Sequence, residues 1–316
     1  MSNYWSDKRV LLTGAGGFLG GHLARRIAGM SPQALLTPRS GELDLRERDA
    51  VRQYLAAHRP NLVIHAAAAV GGIGANRLHP GLFFYENAIM GIQLIEEARR
   101  AAVEKFVCLG TVCAYPKFAT IPFREDDLWS GYPEETNAPY GIAKKALLVQ
   151  LQSYREEYGF NGVFLLPVNL YGPGDNFDLE SSHVIPAMIR KFVEAAESDH
   201  PAMELWGDGT PTREFLYVED AVDGIMLATE RYEGTEPVNL GRGEELAIRD
   251  LAAKVALFAG YRGEIRWDVT KPNGQPRRML DVSRAYREFG FQAATSFDDG
   301  LAKTVAWFKA NRTGGQ

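Results

Sequence analysis

Lys8-Arg9-Val10-Leu11-Leu12-Thr13-Gly14-Ala15-Gly16-Gly17-Phe18-Leu19-Gly20 sets the architecture of the chain, because it places an apolar run, a glycine turn and a helix start in that order. The run before Gly14 predicts a short buried strand. The residues after Gly20, Gly21-His22-Leu23-Ala24-Arg25-Arg26-Ile27-Ala28, repeat their apolar positions at helical spacing. Between them Gly14, Gly17 and Gly20 follow Gly-x-x-Gly-x-x-Gly, a variant of the dinucleotide fingerprint. Glycines allow the tight turn, let a pyrophosphate approach the backbone, and leave the helix amides and dipole free to attract it. A glycine-rich turn without a ligand is the blander reading, and the flanking strand and helix weigh against it.

Moving outward, Ala34-Leu35-Leu36 reads as a second strand ending in Thr37-Pro38-Arg39-Ser40. An acidic residue there would bind the ribose diol of NAD, whereas an arginine accommodates the 2′-phosphate of NADP. Arg39 occupies the place and no carboxylate precedes Glu42, so NADP(H) is favoured and NAD stays open. Asp44-Leu45 is expected to open a polar helix beside the adenine. Asn61 to Ala69 reads as a buried strand running into small residues, with Ala66, Ala67 and Ala68 lying against the cofactor and His65 packed in the strand. A pliable Val70–Gly74 loop and a long helix from Phe83 to Ala102, carrying Asn87, follow. The alternation through residue 170 predicts an α/β fold, a Rossmann-type doubly wound parallel sheet.

The chemistry gathers further on. Leu109-Gly110-Thr111-Val112-Cys113-Ala114-Tyr115-Pro116 follows the apolar run Lys105-Phe106-Val107-Cys108, so a hydroxyl and a thiol stand just beyond a strand's carboxyl end. Open α/β sheets bind ligands there. Tyr140 and Lys144, at i and i+4, share one face of a helix predicted over about 139–158. A lysine cation beside a tyrosine favours the phenolate and is expected to lower the phenol's pKa. Alone, Tyr-x-x-x-Lys describes many solvated helix faces. With Thr111 and the glycine fingerprint it points to proton transfer beside a nicotinamide.

Gly162 to Pro173 predicts a strand running into a proline-bearing turn close to the nicotinamide. Beyond it come a loop over 175–186, a helix over 187–196 and a strand over 203–207, and 212–232 is expected to return to the core as strand and helix. These boundaries predict a Rossmann domain over 1–172, completed by about 212–242. A smaller C-terminal α/β substrate-binding lid is expected from 173–211 and 243–316. Arg312 to Gln316 is expected to fray.

The bulk properties narrow the class. A chain of 316 residues, 46% hydrophobic and 24% charged, is that of an ordinary soluble enzyme. A net charge of -5 argues against a nucleic-acid surface. Met1 to Ser6 has neither the basic start nor the apolar stretch of a secretory signal, and no segment has membrane-spanning length. Two cysteines, Cys108 and Cys113, around one strand end suit a reducing compartment rather than a disulfide scaffold. A cytoplasmic enzyme without metal or membrane is the expectation.

Gly14, Gly17, Gly20, Thr111, Tyr140 and Lys144 together resemble the extended short-chain dehydrogenase/reductases. Narrower stretches are similar to the GDP-L-fucose synthase family of bifunctional 3,5-epimerase/4-reductases. These include Ala66 to Ile73, Cys113 to Lys117, Asn169 to Pro173, Asp175 to Phe177, Ser182 to Ala187 and Trp206 to Phe215. The resemblance implies Cys113 and His183 as the base and acid of epimerisation, and Tyr140, Lys144 and Thr111 as the reducing set. It implies a dinucleotide lined by Gly14 to Gly20 (Gly16, Phe18 and Leu19 included), Arg39 to Leu45 with Asp44, Leu109, Gly110, Thr111, Lys144, Pro167, Val168, Asn169, Leu170 and His183. It implies a GDP-linked sugar facing Asn169, Lys191, Trp206, Arg213, Asn273 and Arg278, and a homodimer built on the helices at about 83–102 and 139–158. Trp206 as a core aromatic is nearly as good a reading. Two departures stand out: Thr111 replaces the family's serine, and Gly16 replaces a basic residue of the glycine loop. A redox-neutral, NAD-dependent epimerase of another nucleotide-linked hexose or heptose is the alternative. A silent nucleotide sensor is a third reading, and the Tyr140/Lys144 pair argues against it.

Overall fold

The structure, a computed structural model, describes residues 4–271 and 273–312. The chain begins β1 (Arg9–Thr13), α1 (Phe18–Gly29), β2 (Ala34–Leu36), α2 (Arg48–His58) and β3 (Leu62–His65). Helices α3 (Ile73–Leu78) and α4 (Pro80–Arg100) lead to β4 (Lys105–Leu109), and α5 (Ala138–Tyr158) leads from it to β5 (Gly162–Pro167). Then come β6 (Asn169–Tyr171), α6 (Val184–Glu197), β7 (Ala202–Trp206), β8 (Thr212–Tyr217), α7 (Val218–Arg231) and β9 (Val238–Leu240). The chain closes with β10 (Glu245–Ala247), α8 (Ile248–Ala259), β11 (Glu264–Asp268), α9 (Ser283–Phe289) and α10 (Phe297–Asn311).

Six strands pair in parallel in the order β2-β1-β3-β4-β5-β9. Strand succession reverses between β1 and β3, so a crevice opens there at the carboxyl ends, the place where such sheets take ligands. The β3 and β4 residues are all buried, which is why each reads as a mostly apolar run, interrupted only by His65 at the end of β3 and Lys105 at the start of β4. Burying a side chain such as Phe106 or Ile64 contributes roughly 1.5–3 kcal/mol, an upper figure because the unfolded chain is itself partly collapsed. On one face α4 and α5 pack tightly, Gly91 leaving room only for the Leu147 side chain. Helix α5 starts with Pro139 in its first turn and stops at Gly159, whose φ of 67° lies in the left-handed region that favours glycine.

Three expectations need correction. The run after Gly162 is not one strand: β5 ends at Pro167, and β6 leaves the central sheet to pair with β8 in a three-stranded sheet ordered β10-β8-β6. Residues 212–217 therefore do not return to the central sheet; α7 and β9 do, with β9 pairing β5. Asp44-Leu45 does not open a helix, since α2 begins at Arg48 and Leu45 is buried beneath the preceding turn. The part of the tail expected to fray, from Thr313 on, and Met1 to Asn3 lie outside the described residues.

Buried apolar side chains form two clusters. One fills the central sheet and its covering helices. The other joins Tyr171, Phe215 and Tyr217 to α6, α8 and α10, beneath the parallel pair β7-β11. The segment from β5 to β6 bridges them.

Candidate active site

The glycine turn is built to hold an anion. Gly14 has φ 77°, and a Cβ there would lie 2.7 Å from the Ala67 amide nitrogen, so the turn is pressed against the small residues that follow β3. Thr13 ties the two together: its hydroxyl sits 2.8 Å from His65 Nδ1 and accepts the Ala67 amide at 3.3 Å. Gly17 caps α1 without any side-chain hydrogen bond, and no acidic residue stands in the first turn. Those amides stay available to phosphate. A Cβ at Gly16 would meet nothing within 4 Å, whereas one at Gly20 would overlap the Gly14 carbonyl oxygen. The residues fit a dinucleotide. Gly20→Ala is accordingly expected to cost about 1–3 kcal/mol of stability and to abolish dinucleotide binding, checked by thermal melting and by equilibrium titration with NADPH.

At the adenosine end Arg39 is exposed, and its amide donates to Glu42 Oε2 at 2.8 Å. The Asp44 carboxylate is taken up by Arg46, with Nη2 at 2.7 Å from Oδ2, and hydrogen bonds from that side chain hold it down at about 2. Asp44 shapes its own turn rather than offering a free carboxylate. His65 is buried in β3, where desolvation keeps its pKa low and the ring neutral, as a packed strand histidine should be. Asn87, noted in the sequence only for its helix, clamps Ala69 by donating to its carbonyl at 2.8 Å and accepting its amide at 3.1 Å.

Directly beyond β4, Thr111 caps a single 3₁₀ turn, Val112–Ala114, its hydroxyl accepting the Cys113 amide at 3.2 Å. Helix α5 meets this turn at Gly141, where a Cβ would stand 2.6 Å from the Cys113 carbonyl oxygen. Only glycine permits that approach, and it lays Tyr140 beside the turn. The Thr111 hydroxyl and the Cys113 sulfur both act on the Tyr140 phenol, which places the three side chains close together. Hydroxyl, thiol and phenol thus share one corner.

The electrostatics of that corner differ from expectation. Burial raises the Tyr140 phenol above its ordinary value, the Cys113 charge adds to this, and the nearby Thr111 hydroxyl opposes it. Lys144 is not among the causes. It is buried beneath the site, desolvation lowers its own pKa, and its charge acts on Cys108 and His65 instead. The i,i+4 pair shares a helix face, but the ammonium turns toward the sheet.

His183 immediately precedes α6, and desolvation by its surroundings lowers its pKa. The Gly71–Gly72 loop packs against the residues before it: the Gly72 amide donates to Ser181 O at 3.1 Å, and a Cβ at Gly72 would lie 2.9 Å from Ser182 O. Pro167 and Val168 end β5, and Asn169 and Leu170 start β6, with Asn169 Nδ2 donating to Glu214 O at 3.0 Å.

The substrate-side candidates fall into two sets. Lys191 is exposed on α6 and joins no ion pair among the described residues. Trp206 is 71% exposed, with Lys271 Nζ 5.7 Å from its ring centre, so it is a surface and not a core aromatic. Asn273 is a brace: its Oδ1 accepts the Asp208 amide at 2.9 Å, tying the turn after β7 to the segment before α9. Arg213 is half-buried, and desolvation followed by the Arg278 charge lowers it to about 10. Arg278 points inward, its Nη1 3.7 Å from Cys113 Sγ. The sequence offered no sign of that contact.

Comparison with known proteins places this geometry. A family model described as NAD dependent epimerase/dehydratase matches residues 10–241. The GDP-L-fucose synthase of Sinorhizobium fredii is 42% identical over 304 residues, covering 96% of this chain and 96% of its own. That of Escherichia coli K12 is 39% identical, covering 97% and 98%. Among solved structures, a GDP-L-fucose synthetase from Naegleria fowleri bound to NADP matches with a TM-score of 0.88 at 26% identity, covering 98% of this chain and 96% of that one.

Proposed function

The chain belongs to the NAD dependent epimerase/dehydratase family, and we propose that within it this protein is an NADPH-dependent 3,5-epimerase and 4-reductase of a GDP-4-keto-6-deoxyhexose, yielding GDP-L-fucose or a near relative. The carrying observation is the shared corner, where a thiol and a hydroxyl-phenol pair flank the place a ketone would occupy. Relatives named GDP-L-fucose synthase match over nearly the whole chain, and a structural neighbour holds NADP, which supports the substrate class and the cofactor.

A C4 ketone acidifies the hydrogens on C3 and C5, because the carbanion delocalises onto the ketone oxygen. Cys113 Sγ takes the proton from carbon, the C–H electron pair passes into the enolate, and His183 returns a proton to the opposite face. Thr111 donates to the oxygen as charge builds there. In the second stage Tyr140 supplies the proton that turns the C4 oxygen into a hydroxyl. NADPH, when bound, supplies the hydride. Lys144 serves as a buried cation under the ribose, Arg213 and Lys191 as cationic contacts to the diphosphate, and Trp206 as a platform for base or sugar. The two apolar clusters divide this labour into a cofactor lobe and a substrate lobe.

Purified protein given GDP-4-keto-6-deoxymannose is expected to oxidise NADPH stoichiometrically, faster than NADH, and to release product inverted at C3 and C5. No NADPH oxidation with that substrate, together with tightly copurifying NAD⁺, would replace this reading by the redox-neutral epimerase. No helix among the described residues is long and apolar enough to cross a membrane. Exposed Leu82, Phe84, Tyr85 and Ile92 on α4 and Val149 on α5 offer the apolar face for a homodimer through these helices.

A further inference from the structure

The segment between β11 and α9 carries two consecutive arginines with opposite circumstances. Arg277 is exposed and ion-paired with Glu245. Arg278 turns inward, and among the described residues neither it nor Arg213 forms an ion pair with a carboxylate. The contacts of Arg278 are few and directed. Its Nη1 lies 3.7 Å from Cys113 Sγ, its Nη2 donates to Gln275 Oε1 at 2.7 Å, and its Nε is buried without a partner. Gln275 in turn donates to Lys117 O at 3.0 Å, four residues beyond the cysteine, so the segment grips the Cys113 turn at two points.

The backbone fixes this grip independently of the side chain. Arg278 O accepts the Glu214 amide at 3.1 Å, Met279 O accepts the Phe123 amide at 2.8 Å, and the buried Glu214 carboxylate takes the Leu280 amide at 2.6 Å. Arg278 is thus delivered to the sulfur by main-chain hydrogen bonds that a substitution leaves standing. With its guanidinium ends committed and Nε closed off, it is poorly placed to clasp a diphosphate; Arg213 is the cation left for that.

We propose that Arg278 is the positioning residue of Cys113, its guanidinium holding the sulfur as a thiolate on the Thr111–Ala114 turn and so readying it to take the C3 and C5 protons. This rests on the reading of Cys113 as the base. A cation at hydrogen-bonding distance favours the charged form of a thiol, and only the thiolate accepts a proton from carbon. The other titratable groups around the sulfur are the Tyr140 phenol on α5, Arg213 behind Arg278, and, deeper, Cys108 and Lys144. The Arg278 charge, after desolvation, also weighs on Arg213. When the proton moves to sulfur the thiol becomes neutral; loss of that proton to water restores the pair.

Iodoacetamide alkylation of Cys113 as a function of pH tests this directly, because Cys108 is fully buried and Cys113 is the reachable thiol. Arg278→Met is expected to move the alkylation midpoint upward, slowing labelling at neutral pH about tenfold, the change one pKa unit produces. Deuterium wash-in at C3 and C5 should fall in step, with its pH profile displaced the same way. Arg278→Lys keeps the charge and is expected to restore most of both. An unmoved midpoint in Arg278→Met, with the wild type exchanging normally, overturns the inference alone. A moved midpoint with a wild type that exchanges nothing overturns the epimerase reading on which it rests.

Discussion

Tyr140→Phe is expected to slow hydride transfer about 100- to 10,000-fold, the range a lost general acid accounts for, while deuterium wash-in at C3 and C5 survives. The substitution removes one hydroxyl and leaves the ring. Gly141 still holds α5 against the Cys113 carbonyl, and the Thr111 hydroxyl keeps the Cys113 amide, so the turn carrying the thiol is undisturbed. What disappears is the proton for the C4 oxygen. Stopped-flow NADPH absorbance and mass spectrometry of recovered sugar nucleotide read the two stages separately. Equal loss of both would make Tyr140 structural. The pH dependence follows from burial, which raises the phenol above its ordinary value. The protonated, donating form therefore fills the neutral range, and the reduction rate should stay level there and fall only on the alkaline side. A fall centred near neutrality would assign the proton to another group.

That expectation reverses part of what residue spacing implies, and the reason is instructive. Tyr140 and Lys144 do share a helix face, but spacing says nothing about what lies opposite each head group. The sheet beneath α5 presents Cys108 and His65 to the ammonium, and the Thr111 turn to the phenol. Local patterns were otherwise informative wherever the determinants are local. The glycine turn between β1 and α1 and the buried runs of β3 and β4 could be read directly, because each is dictated by residues adjacent in the chain. The departure of β6 from the central sheet was hidden, since Asn169 to Tyr171 are as strand-like as the residues before Pro167 and only the distant β8 decides their pairing. The same holds for Arg278, which reaches Cys113 across 165 positions. No periodicity spans that distance. Trp206 was undecidable from sequence for a related reason: an aromatic on a short strand serves a core or a platform equally well, and its exposure depends on how β7 pairs with β11.

Cys113→Ser is the complementary case, expected to lower wash-in at C3 and C5 by about 100- to 10,000-fold without loss of NADPH affinity. Serine preserves the small side chain and the backbone hydrogen bond from residue 113 to Thr111, so the corner keeps its shape. The chemistry changes because a hydroxyl, unlike a thiol, does not ionise near neutrality, and Arg278 would then face a neutral oxygen. A ketosugar already inverted at both centres should still be reduced by this variant at close to the wild-type rate, because Tyr140 and Thr111 are untouched. The original substrate should instead accumulate unexchanged or be reduced without inversion. NADPH fluorescence titration checks that the cofactor lobe is intact, and mass spectrometry after incubation in D₂O counts the exchanged positions. Undiminished exchange would take Cys113 out of the reaction. Exchange lost at one carbon but kept at the other would divide the two centres between different bases, and His183, just before α6, is the residue the second would fall to.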